Sequence, residues 1–350
     1  MPIPPLSQPA QPRTRADPVA VPPPLVSIGL PVYNGDRYLR LALDSLLGQD
    51  YPYLELILAD NASTDGTAAI CREYAARDAR IRYYRQAGNI GAVANFKRVA
   101  QLAQGTYFMW AAFDDLRSPT YVSATVAALE ADPRAVLCCT GLRLIDEAGQ
   151  EVDEATWTHG IRPLGHTPWQ RIRAVAQAGY WYDFYGLIRR RALRQTRGPL
   201  PVWGYDVVLL LELCLRGRVA YVPQKLFAYR VFPHKTPAEV THSLEAAQAT
   251  TAVPVSWGSM ILEMIRGIWL APLPVPSKLQ LTPRFVWEFC GRNGVVSTFI
   301  YMEGTAGVRR ALAQHAYRRS LGLLMIAALG SSQHLRRRIV TKLRKELRSR

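Results

Sequence analysis

The sequence has few cysteines and no long apolar run. Its five cysteines are odd in number and include no Cys-x-x-Cys spacing, which argues against a disulfide framework and a structural zinc site and favours a reduced, cytosolic setting. No 18-residue stretch is uniformly apolar, and the best candidate, 257–273, is interrupted by Glu263 and Arg266, which argues against a spanning helix. The sequence also lacks GxxxxGK[ST] and GxGxxG, so neither phosphate-loop nor dinucleotide fingerprints apply.

Acidic residues are outnumbered by basic ones. The chain has 43 Lys and Arg against 27 Asp and Glu, a formal net charge of +16. Such a charge favours anionic partners, which include nucleic acid, anionic lipid surfaces and phosphorylated substrates. No zinc-finger, RNP or homeodomain pattern accompanies the charge. Nucleic-acid binding is therefore an alternative, and nucleic acid is not the expected partner.

Short apolar strands alternate with helical segments along the first half of the chain. The pattern predicts strands over 26–33, 54–59, 81–84, 107–112 and 135–140. It predicts an α/β fold in which a mainly parallel mixed sheet is flanked by helices. Beyond about residue 141 the pattern loosens, with a helix predicted over 205–216 and short strands over 219–223 and 225–230. After about residue 250 the chain becomes helical and basic.

Three polar clusters fall where predicted strands end. They are Tyr33-Asn34, Asp60-Asn61 and Asp114-Asp115. In a parallel sheet the carboxyl ends of the strands meet at one edge, where ligands bind. We therefore expect these clusters to converge on one site.

The adjacent carboxylates of Asp114 and Asp115 repel each other unless a cation neutralises them. Mg²⁺ and Mn²⁺ take carboxylate oxygens and leave positions for phosphate, so the pair is a candidate metal site. The alternative is a solvated turn. Asp60 offers an acceptor for a ribose hydroxyl or a base N–H, and the alternative, a loop that caps the next helix, is compatible with that role.

The ordered motifs Pro31–Asn34, Ala59–Thr67, Asn89–Gly91 with Asn95, and Trp110–Asp115 together resemble the family 2 glycosyltransferases of the GT-A fold, over residues 25–232. The resemblance implies a nucleotide-sugar donor, carrying UDP, GDP or dTDP, and a divalent cation, Mg²⁺ or Mn²⁺, held by Asp114 and Asp115. The donor-binding residues that it implies are Pro31, Tyr33, Asn34, Asp60, Asn61, Asn89, Asn95, Asp114 and Arg230.

One position departs from the family's usual Asp-x-Asp metal motif. Ala112 occupies the first aspartate position, while Asp114 and Asp115 keep the later two. A branch of the family with a Trp-Ala-Ala-x-Asp-Asp form is similar, so activity remains compatible with this sequence. The alternative that Ala112 favours is a non-catalytic GT-A-like module that binds a nucleotide or a glycan.

The resemblance also implies a catalytic base at Asp206, at the start of a helix beneath the acceptor. The alternative is a carboxylate that stabilises the helix dipole. Glu212 is predicted to be structural, and Asp183 is a weaker competitor for the base. Arg230 suits a pyrophosphate contact, and His234 is predicted to be a surface-loop histidine.

Three segments divide the chain. We expect a disordered proline-rich tail over 1–24 rather than a signal peptide, a GT-A domain over 25–235, and a helical basic extension over 236–350. Within the domain, 25–145 forms the donor half and 146–235 the acceptor half. Residues 336–350 contain eight Lys or Arg and one Glu, with apolar residues on one helical face. This pattern predicts a membrane-surface helix; the alternative is a solvated tail or a self-association helix.

Taken together, the sequence predicts an inverting hexosyl- or related glycosyltransferase, of the EC 2.4 class. The expected acceptor is a glycan or a lipid-linked molecule, in cell-surface polysaccharide or glycolipid synthesis. The expected location is the cytoplasm, peripheral on the inner face of the cell membrane.

Overall fold

A computed structural model describes residues 22–152, 167–178, 182–232 and 257–291. Within these residues the strands are β1 (Val26–Val32), β2 (Leu54–Asp60), β3 (Ile81–Arg85), β4 (Tyr107–Trp110), β5 (Leu116–Arg117), β6 (Ala135–Ile145), β7 (Leu187–Arg189) and β8 (Arg218–Arg230). The helices are α1 (Asp36–Leu47), α2 (Thr67–Arg77), α3 (Ala92–Leu102), α4 (Tyr121–Ala131), α5 (Pro168–Gln177), α6 (Arg190–Leu193), α7 (Tyr205–Cys214), α8 (Trp257–Leu270) and α9 (Val275–Gly291), with a 3₁₀ turn at Tyr182–Tyr185.

The strands form one mixed sheet in the order β3-β2-β1-β4-β7-β6-β8-β5. The first four are parallel, β7 runs antiparallel to both of its neighbours, and β6 and β8 are again parallel. Strand order reverses direction between β1 and β4, because β2 and β3 lie to one side of β1 and β4 to the other. Such a switch point leaves a crevice beyond the carboxyl ends of the two strands. The clusters Tyr33-Asn34 and Asp114-Asp115, which follow β1 and β4, both lie at this end of the sheet.

The predicted alternation of strand and helix in the first half is confirmed, whereas the end of the domain differs from the prediction. The expected strands at 219–223 and 225–230 are one strand, β8, and its pairing with β6 shifts register between Val222 and Lys225. Pro223 has no backbone N–H to donate to β6, and it lies in a bulge, so the strand continues on both sides of it. Gly141 permits the bulge, because a Cβ there would lie 2.6 Å from the Pro223 carbonyl oxygen.

Two apolar cores lie on opposite faces of the sheet. On one face, alternate residues of β1, among them Ile28 and Leu30, pack with Leu39 and Leu43 of α1. The spacing of the buried residues on α1 follows the helical repeat, which explains why this segment is an amphipathic helix. On the other face, α7 forms the centre of a core that includes β4, α8 and α9. All seven residues of β1 are buried, because both faces of the sheet are covered.

The helices α8 and α9 pack against the domain that precedes them. Gly204, at φ 72°, precedes α7, and a Cβ there would lie 2.3 Å from the Met260 sulfur. Glu212 of α7, 1% exposed, accepts from the Arg197 backbone N–H at 2.9 Å and pairs with its guanidinium, which also pairs with Glu263 of α8. Glu212 therefore ties α7 to α8, and the prediction that it is structural fits these contacts.

The predicted domain boundary at 235–236 lies outside the described residues and stays a prediction. Among the helices that the structure describes, none combines the length and apolar character needed to cross a bilayer.

We predict that Glu212→Ala lowers the free energy of unfolding by about 3 kcal/mol, because it removes the acceptor of the Arg197 backbone N–H and one of the two carboxylates that pair with the Arg197 guanidinium. Urea denaturation measures the loss. Glu73→Ala is the matched control: it breaks exposed pairs with Arg40 and Arg77, and we expect a loss of about 1 kcal/mol or less. Equal losses in the two variants would contradict the role of Glu212.

Candidate functional site

The loops that follow β1 and β2 are joined by hydrogen bonds at the switch-point edge. The Asn34 backbone N–H donates to Ser63 Oγ at 3.0 Å, and the Gly35 N–H donates to Thr67 Oγ1 at 2.8 Å. In return, Asn34 Oδ1 accepts from the Thr64 N–H at 2.9 Å. Asn34 adopts a left-handed φ of 50°, a conformation that asparagine tolerates well. The first two polar clusters therefore lie together, as their positions in the sequence predict.

The Asp60 carboxylate is fully buried and already has protein partners. Its Oδ1 accepts from the Ser63 N–H at 2.8 Å, and its Oδ2 accepts from the Tyr83 hydroxyl at 3.1 Å, with Arg85 Nε 3.5 Å away. Burial, followed by the charge of Asp60, raises the pKa of Tyr83, so the hydroxyl remains a donor. Asp60 thus holds its own loop and β3 in place, and its contact with a nucleoside stays a prediction.

Three side-chain amides connect the segment before α3 to the end of β2. Asn61 Nδ2 donates to Asn89 Oδ1 at 2.7 Å, and Asn61 Oδ1 accepts from the Ile90 N–H at 2.9 Å. Asn95, in the first turns of α3, donates to the Ala59 carbonyl at 2.7 Å. The three predicted residues therefore meet at one edge of the sheet, and these contacts position the backbone around the crevice.

The loop after β1 also touches the aspartate loop after β4. A Cβ at Gly35 would lie 2.7 Å from the ring of Phe113, so only glycine leaves room for this aromatic side chain. Pro31 is buried in β1 opposite Ala59 of β2, and the half-buried Tyr33 follows the strand. All three polar clusters named from the sequence thus surround one crevice.

Asp115 is 4% exposed and has one oxygen without a protein partner. Its Oδ1 accepts from the Arg230 backbone N–H at 2.9 Å, whereas the buried Oδ2 accepts no hydrogen bond. Burial, followed by the neighbouring charge of Asp114, raises the pKa of Asp115 to about 8. The fold therefore holds a carboxylate where an additional positive charge would be stabilised.

Arg230, the predicted pyrophosphate contact, is buried beside the aspartates. Its Nε donates to the Asp114 carbonyl at 2.9 Å, and its Nη1 donates to the Asp146 and Glu147 carbonyls. The guanidinium also lies 4.5 Å from the centre of the Tyr38 ring. These contacts hold the aspartate loop, and a direct contact of Arg230 with phosphate stays a prediction.

Arg117 is a feature of this site that the sequence reasoning missed. The side chain is 4% exposed, its guanidinium lies 3.5 Å from the centre of the Phe227 ring, and its Nε and Nη2 are buried without hydrogen-bond partners. Burial lowers the pKa of Arg117, while the charge of Asp115 opposes that shift. An arginine two residues after an Asp pair was the available signal, but its burial depends on β8, which is distant in sequence.

The described residues fit a divalent cation held in part by protein and in part by other ligands. Asp114 and Asp115 supply carboxylate oxygens, the donors that Mg²⁺ and Mn²⁺ prefer, and Asp115 Oδ2 is available. Within the described ranges, no group of three or more His, Cys, Asp or Glu side chains is positioned to hold a metal ion. Phosphate oxygens and water would have to complete such a coordination sphere.

Asp206 lies in the first turn of α7 and is partly buried. Burial raises its pKa to about 6, while backbone hydrogen bonds lower it. An aromatic chain connects this helix end to the aspartate loop: the Tyr205 ring packs 5.8 Å from Phe184, which stacks 4.5 Å from Trp110 of β4. The fold therefore joins the predicted base to the strand that carries the aspartate pair.

Tyr185 is a second residue that the sequence did not indicate. Burial raises its pKa, and the charges of Asp115 and Asp114 add to the shift, as does Tyr205. The ring therefore lies within electrostatic reach of both the aspartate pair and the start of α7. The 3₁₀ turn that carries Tyr185 has no periodic pattern, so local sequence does not predict that this residue lies near the site.

Of the two remaining predicted residues, Asp183 and His234, the structure describes only Asp183. Asp183, the weaker competitor for the base, is 6% exposed in the same 3₁₀ turn, and its competing role stays a prediction. His234 lies outside the described residues.

Comparison with known proteins identifies the family of this region. Residues 27–195 match the model for glycosyl transferase family 2. This part of the chain is similar to the family 2 glycosyltransferases. The resemblance inferred from the sequence motifs is thus confirmed.

Curated relatives of this region align with the chain over only part of their own length. An uncharacterized protein of Mycobacterium tuberculosis is 32% identical over 208 residues, which are 58% of this chain and 57% of that protein. An uncharacterized glycosyltransferase of Rickettsia typhi is 36% identical over 125 residues, which are 35% of this chain and 38% of that protein. The chain therefore spans little more than half the length of the mycobacterial relative.

Solved structures confirm the GT-A fold. The structure of S. aureus TarS 1–349 in complex with UDP-GlcNAc has a TM-score of 0.60 at 15% identity, covering 89% of this chain and 82% of that one. The mannosyltransferase PcManGT from Pyrobaculum calidifontis, in complex with GDP-Man and Mn²⁺, has a TM-score of 0.50 at 17% identity, covering 89% and 90%. At these identities the likeness concerns the fold alone.

Proposed function

We propose that the protein is an inverting hexosyl- or related glycosyltransferase that moves a sugar from a nucleotide-sugar donor to a glycan or lipid-linked acceptor. The proposal rests on the connection between two features of the fold. One is the Asp114-Asp115 pair at the switch point of the sheet, in which Asp115 is buried. The other is Asp206 at the start of α7, which is linked to that pair through the rings of Tyr205, Phe184 and Trp110. The expected pathway is the synthesis of cell-surface polysaccharide or glycolipid.

In this proposal the donor lies in the crevice beyond β1 and β4. The residues around it that we expect to contact the nucleotide are Pro31, Tyr33, Asn34, Asp60, Asn61, Asn89, Asn95, Asp114 and Arg230. The family, and relatives named as glycosyltransferases, support a nucleotide-sugar donor. TarS binds UDP-GlcNAc and PcManGT binds GDP-Man, so UDP-, GDP- and dTDP-sugars are the donors to test.

The proposed reaction is a single displacement. Asp206 accepts the proton of an acceptor hydroxyl while that oxygen forms a bond to the anomeric carbon. The bond from the anomeric carbon to the diphosphate oxygen breaks on the opposite face, and the electron pair leaves with the diphosphate. Attack opposite the leaving group inverts the anomeric centre. A pKa of about 6 leaves Asp206 largely ionised at neutral pH, as a base requires.

Asp114 and Asp115 would hold the divalent cation, Mg²⁺ or Mn²⁺. When bound, such an ion neutralises negative charge on the diphosphate. The unpartnered Oδ2 of Asp115 supports this assignment. The chain's own contribution is to fix the aspartate loop, because Arg230 holds the carbonyls of Asp114 and Asp146.

A second candidate function is a non-catalytic module that binds a nucleotide or a glycan. Ala112 favours it, since this position lacks the first carboxylate of the usual motif. Nucleotide binding without turnover of any donor would support the module and contradict the transferase.

We predict that Asp206→Asn reduces turnover by roughly 10²–10⁴-fold, because an amide cannot accept the proton. Purified protein is screened for stabilisation by UDP-, GDP- and dTDP-sugars with Mn²⁺, and nucleotide release is then measured with the stabilising donor. Donor affinity, read by calorimetry, should be unchanged. The wild-type rate should fall about tenfold per pH unit below pH 6, as Asp206 becomes protonated.

Asp183→Asn is the matched control and should retain the turnover of the wild type. Full turnover in Asp206→Asn, or loss in Asp183→Asn alone, would transfer the role of base to another residue.

We predict that Ala112→Asp tightens Mn²⁺ binding by about tenfold or more, since it restores a carboxylate to the loop. Asp115→Asn should weaken binding by a similar factor. The free Mn²⁺ signal in electron paramagnetic resonance, titrated in the presence of UDP, measures both. Asp50→Asn, an exposed carboxylate elsewhere, controls for charge. Identical Mn²⁺ affinity in all four proteins would exclude the aspartate loop as the metal site.

We further propose that the protein works on the inner face of the cell membrane, held there peripherally. The net charge of +16 and the eight basic residues in 336–350 support attraction to anionic lipid, although that segment lies outside the described residues. Apolar side chains at the α8–α9 turn add to this: Trp269, Leu270 and Leu279 are 44%, 57% and 57% exposed. Tryptophan and leucine at such a surface suit the boundary of a bilayer.

We predict that replacing Arg336, Arg337 and Arg338 together by Gln weakens binding to anionic vesicles by roughly a hundredfold, since each basic residue near the surface contributes about 1 kcal/mol. Co-sedimentation with phosphatidylglycerol-containing vesicles measures it. The control replaces Arg72, Arg77 and Arg98, which gives the same net charge. Equal weakening in the two variants would assign the attraction to overall charge and not to 336–350.

A further inference from the structure

The amino-terminal ends of β6 and β8 border a pocket that is lined largely by arginine. Its volume is about 580 Å³, within the range of small-molecule sites. The described residues that line it include no Asp or Glu. The arginines are Arg134, Arg171, Arg191, Arg216 and Arg218.

Backbone contacts define the shape of this arginine pocket. The Arg218 N–H donates to the Arg134 carbonyl at 2.8 Å where β8 begins beside β6. A Cβ at Gly217 would lie 2.3 Å from Val136 Cγ1, so glycine is required for this close approach. The pocket therefore lies where the starts of β6 and β8 meet the end of α7, and the turns that precede these two strands form part of its wall.

Two of the five arginines have a structural task. Arg171 Nε donates to the Cys214 carbonyl at 2.6 Å, and Arg216 Nη1 donates to the Glu212 carbonyl at 2.8 Å. Both carbonyls belong to the last turn of α7, whose negative dipole end attracts cations. Helix capping does not account for the other three arginines, which are Arg134, Arg191 and Arg218.

Among the residues that the structure describes, two acids pair with arginines of this pocket, Asp132 and Glu212. Asp132 lies 3.6 Å from both Arg134 and Arg218, and Glu212 Oε2 lies 4.0 Å from Arg216. Burial lowers the pKa of Arg171, and the charge of Arg218 lowers it further. Like charges held this close are unfavourable unless an anion neutralises them.

We propose that the arginine pocket binds a compact anion that carries two or more phosphate groups. Guanidinium groups match phosphate oxygens with paired hydrogen bonds, and several converging arginines suit more than one phosphate. The pocket lies near the carboxyl end of α7, whereas Asp206 lies at its start. Ten helical residues separate these ends by about 15 Å, so this pocket is distinct from the proposed donor site.

Calorimetric titration with inorganic pyrophosphate tests the proposal on the full chain, in a metal-free buffer at physiological ionic strength. We expect saturable binding that sulfate does not reproduce. Arg134→Gln with Arg191→Gln should weaken it by about tenfold or more, since each variant removes a charge-assisted hydrogen bond. Asp115→Asn should bind pyrophosphate as the wild type does. A parallel titration with UDP into Asp115→Asn distinguishes a nucleotide from free polyphosphate as the source of the phosphates.

Arg72→Gln with Arg77→Gln is the matched control, because both arginines are exposed on α2 and the pair of substitutions removes the same two charges. Arg134 is 71% exposed, and Arg191 is held by one long hydrogen bond to Pro133, at 3.4 Å, so the double variant should unfold at the same temperature as the wild type. If it does not, the single Arg191→Gln variant replaces it. Absence of saturable binding, wild-type affinity in the pocket variants, or equal weakening in the Arg72→Gln, Arg77→Gln control would overturn the proposal.

Discussion

The burial of the Asp115 carboxylate next to Asp114 is the constraint on which the candidate site depends. A buried carboxylate beside a second, half-buried one is unfavourable, so the surrounding chain must supply donors and positive charge. The end of β8 does so with the backbone N–H and the guanidinium of Arg230, and Arg117 adds a second buried cation. One oxygen of Asp115 is still left without a partner. This arrangement depends on the length of β8, which reaches the aspartates at Arg230. It also depends on the sheet order and on the aromatic stacking next to β4.

The two halves of the domain also meet through aromatic packing. β4 carries the aspartate loop, while the 3₁₀ turn and α7 come from later in the chain. Trp110, Phe184 and Tyr205 form a continuous aromatic contact between them. Such contacts are rigid, because large rings in a close-packed core have few alternative positions. The position of Asp206 relative to the aspartates is therefore fixed by the same core that stabilises the domain.

Much of the first half of the domain could be predicted from sequence, because β-strands and amphipathic helices repeat there with clear periods and end in polar residues. The convergence of Asn34, Asp60 and Asp114 follows from parallel topology alone. What could not be predicted depends on contacts between distant segments. The burial of Arg117 requires Phe227 of β8, and the single course of β8 through Pro223 requires the bulge against Gly141. The local sequence around Arg117 or Pro223 does not predict either of these partners, Phe227 and Gly141.

β8 has one further consequence, which concerns how the family can vary. The strand runs from Arg218 at the arginine pocket to Arg230 at the aspartate loop. Its pairing with β6 shifts register between Arg218 and Val219 and again across the bulge at 222–227, and regular segments lie on either side of that bulge at 219–222 and 227–230. Because side chains alternate between the faces of a sheet, a one-residue insertion within 227–230 would turn Arg230 to the wrong face. An insertion at the bulge itself leaves both registers intact. Length variation in β8 should therefore be confined to the bulge, which lets the two ends of the sheet diverge independently.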